Sequence, residues 1–132
     1  MSRSPTAAVA ARTLARLLAL RGWPLRELEW RTARLGHRIS ASRLQKMRRD
    51  DGTPLTVDDL TVLAAAFGVS PLAFLLPADG SCQLTGVSAA TPAELLGWLR
   101  AERPVSPNRH DPPDAFEIAQ FRRLSLPPAY LG

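Results

Sequence analysis

Leu25-Arg26-Glu27-Leu28, a glycine at position 36, and then Ile39-Ser40-Ala41-Ser42-Arg43-Leu44-Gln45-Lys46-Met47 form the stretch on which the reading of this chain turns. Leu25, Leu28, Thr32 and Leu35 recur at the spacing of one helical face, which predicts a helix over about 24–35 that Gly36 stops. Ile39 precedes Ser40, whose hydroxyl suits the cap of a short helix over 41–49. Leu44 and Met47 are the inward positions of that helix. Ala41, Ser42, Arg43, Gln45 and Lys46 are left outward, as a cluster of small and long polar side chains.

On the N-terminal side, residues 4–21 predict a first helix, with Ser4 as its cap, Pro5 at the first helical position and Gly22 at the end. Leu14, Leu17 and Leu18 form its apolar stripe. A fourth helix is expected from Thr56, with Asp58 and Asp59 complementing its positive end. Leu60, Leu63, Ala64 and Phe67 mark its buried face, and Gly68 closes it. Ser70-Pro71 starts a fifth, short helix over 71–76. From Pro77 the composition shifts, and 78–90 reads as an irregular linker. Thr91 and Glu94 have the spacing of a capping box for a helix over about 92–103. Four prolines make 104–113 irregular. Segment 114–124 fits a short helix or an edge strand, and periodicity does not choose between them. The expected architecture is all-α, with a compact five-helix domain over 4–77 and a linker and partly helical extension over 78–132.

The chain has 132 residues, 45% of them hydrophobic, which is enough for a core in one ordinary domain. Its net charge of +5 hides a split. Residues 1–49 carry eleven Arg and Lys46 against Glu27 and Glu29, a net +10, while residues 50–132 carry a net −5. Such asymmetry points to a polyanionic partner for the first part. One cysteine, Cys82, excludes an internal disulfide and a cysteine-only metal site. His37 and His110 have no second ligand at metal spacing, and Asp50, Asp51, Asp58 and Asp59 do not match a calcium loop. Phosphate-cradling glycine loops and nucleophile elbows are both missing. The expectation is therefore a protein that is not an enzyme and needs no cofactor. Trp23, Trp30 and Trp98 are assigned to packing rather than base stacking. No apolar run approaches the length of a membrane span and no signal-peptide pattern opens the chain, so the reading is a protein of the reducing cytoplasm, with no membrane partner.

The outward face of helix 41–49 suits a DNA major groove. Small residues allow close approach, Arg and Lys can pair with guanine, and Gln with adenine. Residues 5–77 resemble the Cro/repressor-type (XRE-like) helix-turn-helix family. The resemblance is carried by the residues quoted above, by Thr56-Val57-Asp58-Asp59-Leu60, and by Ala64-Ala65-Ala66-Phe67-Gly68-Val69-Ser70-Pro71. Gly22-Trp23 and the lengthened turn Ala33–Arg38 are similar to actinobacterial members. The resemblance implies a DNA-binding regulator, a dimeric repressor on a two-fold operator, with double-stranded DNA and a second copy of the chain as partners. Arg43, Lys46, Gln45 and Ser42 are the candidates for base edges, and Arg26, Arg38, Ser40, Arg48 and Arg49 for phosphates. The alternative is an antitoxin or adaptor that binds a protein partner through residues 91–132. Three positions depart from the family pattern: Pro24 in place of a capping Ser or Thr, Glu29 in place of a small residue, and Arg48-Arg49-Asp50 in place of an acid-Arg-Gly close. Glu29 requires either a longer turn that moves the third helix away or a pairing with an Arg such as Arg43.

Overall fold

The structure is a computed structural model and describes residues 4–49, 52–105 and 112–131. It is mostly helical, with six α-helices and one two-stranded sheet among the described residues. The chain divides into two compact units, Met1–Ala78 and Asp79–Gly132. Asp50, Asp51 and His110 lie outside the described residues.

In the first unit, α1 spans Pro5–Arg21 and ends at Gly22, whose φ of +66° is the left-handed conformation a glycine adopts without a Cβ clash. Leu14, Leu17 and Leu18 are buried as the stripe predicts. Ser4 precedes α1 in an extended conformation, but its hydroxyl makes no capping bond, contrary to expectation. Helix α2 spans Leu25–Arg34 and buries Leu28 and Thr32. Leu35 was expected on that buried face and is 51% exposed. The helix ends one residue earlier, and at ψ of 5° Leu35 has left the helical path.

Thr32 fixes the turn that follows. Its hydroxyl donates to the Glu29 carbonyl at 2.9 Å and accepts the Ile39 N–H at 3.0 Å, so a buried backbone donor is satisfied inside the core. Helix α3 covers Ala41–Met47, two residues shorter than predicted, and Ser40 caps it by accepting the Arg43 N–H at 3.2 Å. Helix α4 covers Val57–Phe67 with a complete capping box between Thr56 and Asp59. The fifth helix is reduced to a single 3₁₀ turn over Pro71–Phe74.

These elements enclose one core of Leu14, Leu18, Leu28, Ile39, Leu44, Met47, Leu63, Phe67 and Phe74, all buried. Trp23 closes one end, stacked on Phe67 at 5.3 Å between ring centroids, with the Arg31 guanidinium over it at 4.0 Å. The last carbonyl of α4, on Phe67, accepts a bond from Arg21 at 2.6 Å, so the two helix ends are tied together.

In the second unit, the segment read as an irregular linker contains a hairpin. Strand β1, Gln83–Leu84, pairs antiparallel with β2, Val87–Ser88, across a tight turn at Gly86, whose φ is +78°. Helix α5 spans Pro92–Leu99, shorter than the predicted 92–103, and Thr91 caps it by accepting the Glu94 N–H at 3.1 Å. Glu94 reaches back to the Ala90 N–H rather than to that of Thr91. Segment 114–124, which periodicity leaves open between helix and strand, is helical: α6 spans Ala115–Ser125 and is capped by Asp114. The Asp114 carboxylate accepts the Glu117 N–H at 2.8 Å. No residue of α6 is buried.

Candidate nucleic-acid interface

Helix α3 is held to the core by Leu44 and Met47, both fully buried. Ser42, Gln45 and Lys46 are exposed and share the opposite face. Four outward residues were expected to form a reading surface with Ala41. Ser42, Gln45 and Lys46 are exposed on one face, whereas Arg43 is half-buried.

Arg43, expected among the base-reading residues, is instead bonded to α4. Its guanidinium forms a bidentate pair with Asp59, at 2.9 Å to Oδ1 and 2.6 Å to Oδ2. The Asp59 side chain is fully buried and that of Arg43 is 35% exposed. The physical reason is the position of Asp59 at the third residue of α4. There it reaches the Thr56 N–H at 2.8 Å as part of the capping box, and its remaining lone pairs face α3. Burial alone raises its pKa, but the Arg43 pair and the Thr56 bonds outweigh burial and hold the carboxyl below the usual aspartate value. His37 Nε2 lies 3.6 Å from Asp59 Oδ1, at the edge of the same cluster. In the sequence Asp59 reads only as a helix-end charge. Its three-residue spacing from Thr56 was the signal for a box.

Glu29 does not pair with Arg43. One carboxylate oxygen accepts the N–H of Ala41, the first residue of α3, at 3.1 Å. The other forms an ion pair with Arg38, whose Nε lies 2.6 Å away. The Ala41 N–H, and after it Arg38, hold the Glu29 carboxyl below its ordinary pKa. So Glu29 caps α3. Ser40 satisfies the third amide of α3 and Glu29 the first, which fixes the start of the helix from two sides.

Glu29 and Asp59 are thus each paired with an arginine, Arg38 and Arg43 respectively. Arg38 remains largely exposed despite its pair with Glu29. Arg26 is exposed in the first turn of α2, Arg48 is half-buried just after α3, and Arg49 is exposed. No ion pair engages these last three among the described residues. Trp30 and Arg34 stack on each other at 4.8 Å on α2. Cys82 is buried, and its thiol donates to the Gly80 carbonyl at 3.1 Å. Among the described residues, no group of three His, Cys, Asp or Glu could hold a metal ion, and no helix is long and apolar enough to cross a membrane. No family model, characterised protein or solved structure matches this chain.

Proposed function

We propose that the chain is a sequence-specific regulator of transcription built on a Cro/repressor-like helix-turn-helix, which places α3 in the major groove of double-stranded DNA. It works in the cytoplasm, on the nucleoid, as a homodimer on a two-fold operator. The role of repressor follows from the family resemblance alone. One observation carries the reading: α3 presents Ser42, Gln45 and Lys46 outward while Glu29 and Asp59 are paired with Arg38 and Arg43. Gln45 and Lys46 have the donors and acceptors for base edges, and Ser42 allows close approach. Arg26, Arg48, Arg49 and Arg38 contact phosphates, with the Ser40 hydroxyl donating alongside them. Arg43 acts as a positioning residue, fixing the roll of α3 against α4.

A second reading is a protein contact through residues 91–132. It is supported by Phe116 and Leu124 on α6, which are 76% and 78% exposed.

Titrating the full chain with duplex DNA across a range of salt tests the first reading. About 6–8 phosphate contacts per dimer give a slope of log affinity against log salt of roughly −5 to −7. A slope near zero, or no duplex binding at low salt, contradicts it.

A further inference from the structure

Between the start of α1, the start of α4 and Leu75, just after the 3₁₀ turn, lies a cavity of about 320 Å³. We propose that it is a binding site for a small, uncharged, mostly apolar molecule that carries one hydrogen-bonding group.

Its walls are Ala7, Ala10, Leu55, Val57, Leu60 and Leu75, all apolar. The two alanines leave on the α1 side the space that larger side chains would fill. The other lining residues, Ser4, Thr6 and Thr56, carry hydroxyls, and none of the described lining residues is charged. The volume lies at the small end of the roughly 300–1,000 Å³ of ligand pockets, which share this pattern of apolar walls with a few polar groups. Two of the hydroxyls have hydrogen-bonding capacity to offer. That of Ser4 makes no capping bond. That of Thr56 accepts the Asp59 N–H at 3.0 Å and keeps its own proton to donate.

The surroundings fix the class of occupant. An anion is excluded because the capping box already uses the amino end of α4, where Asp58 and Asp59 add negative charge. A cation finds no carboxylate among the described lining residues and would lose its hydration against apolar walls. A protein partner needs a wide apolar patch. Of the large apolar side chains exposed on the first unit, Leu20, Trp30, Leu35 and Val57, only Val57 lines the cavity. A small neutral molecule needs no more than the cavity itself. Its seat adjoins the clasp on α3, since the Thr56 N–H donates to Asp59 at 2.8 Å and Asp59 pairs with Arg43. Ligand binding stands without the DNA reading, and only an effect of the ligand on DNA affinity rests on it.

Nuclear magnetic resonance titration of the full chain with straight-chain butanol and hexanol tests the proposal, with hexanoate and hexylammonium as charged controls of the same length. The expected result is saturable shifts of the Ala7, Ala10, Val57 and Leu60 methyl groups. Affinity should rise about fourfold per added methylene, and both ions should bind at least about tenfold more weakly than hexanol. Ala7→Leu fills the cavity and should weaken hexanol binding at least about tenfold. Val57→Ser, at an exposed position that leaves the core untouched, should weaken it about threefold. The proposal is overturned if either ion binds as tightly as hexanol, if hexanol binds no tighter than butanol, or if both variants bind it unchanged. It is overturned equally if the shifts never saturate and spread to Trp30 and Phe116, or if the same methyl groups shift on raising protein concentration alone, which assigns the cavity to a second copy. Saturable hexanol binding by a chain that binds no duplex would retain the site and remove the DNA reading.

Discussion

Replacing Asp59 by Asn removes one charge and almost no volume, so its effect isolates the clasp between α3 and α4. The Asp59 carboxylate is fully buried and meets the two Arg43 nitrogens at 2.9 and 2.6 Å and the Thr56 N–H at 2.8 Å. In Asp59→Asn the amide oxygen can still accept from Thr56, but the amide nitrogen faces a guanidinium that also donates. Breaking a buried pair by removing one partner costs about 3–5 kcal/mol. Arg43 keeps a third of its side chain in water and can rehydrate, which lowers the expected loss to about 2–3 kcal/mol. In a unit of this size that is a fall of roughly 10–20 °C in melting temperature. Urea unfolding of the parent, Asp59→Asn, Arg43→Ala and the double variant gives the coupling directly, expected at about 1–3 kcal/mol. The folded pKa of Asp59 lies below its unfolded value of about 3.9, so its contribution is complete above that value and is lost as pH falls through the folded one. The acid limb of the stability profile should therefore flatten in Asp59→Asn. A loss under about 0.5 kcal/mol together with zero coupling would refute the clasp. In DNA binding, Arg43→Ala should weaken all duplexes alike, and a change of preference at one base pair would return Arg43 to the reading set.

Glu29→Ala removes the acceptor of the Ala41 N–H, so the exchange of that amide with solvent should quicken while amides in the middle of α4 keep their rates. Unchanged exchange at Ala41 would mean that the Ser40 cap alone holds the start of α3. Trp23→Ala takes away the stack on Phe67 and the seat of Arg31, and chemical denaturation should record a loss of about 2–4 kcal/mol. A loss below about 1 kcal/mol would show that the ring covers the core without stabilising it.

What could be read in the sequence was set by local chemistry. Gly22 and Gly68 end their helices in left-handed conformations, and Ser40, Thr56 and Thr91 cap theirs, because each of these effects acts within three or four residues. The apolar stripe of α1 was legible for the same reason. Arg43 was misplaced because a helical wheel puts it at the edge of the outward face, and its partner lies sixteen residues away on another helix. Glu29 was noticed as an anomaly, but its second role, accepting an amide twelve residues on, depends on the length of the turn. The hairpin at 83–88 was invisible, since two-residue strands carry no period. Segment 114–124 was ambiguous because its apolar residues face more than one side of the helix, and none of them is buried.

In the proposed function α3 reads double-stranded DNA through Ser42, Gln45 and Lys46. Selection of bound duplexes from a random pool by the full chain, repeated with Gln45→Ala, tests it most directly. The expected result is enrichment of one motif with two-fold symmetry, and loss of preference at a single base pair per half-site in the variant, at a cost of about 1–3 kcal/mol on the parent's best site. A pool that stays random at low salt, or a motif that Gln45→Ala, Lys46→Ala and Ser42→Ala all leave unchanged, would contradict it.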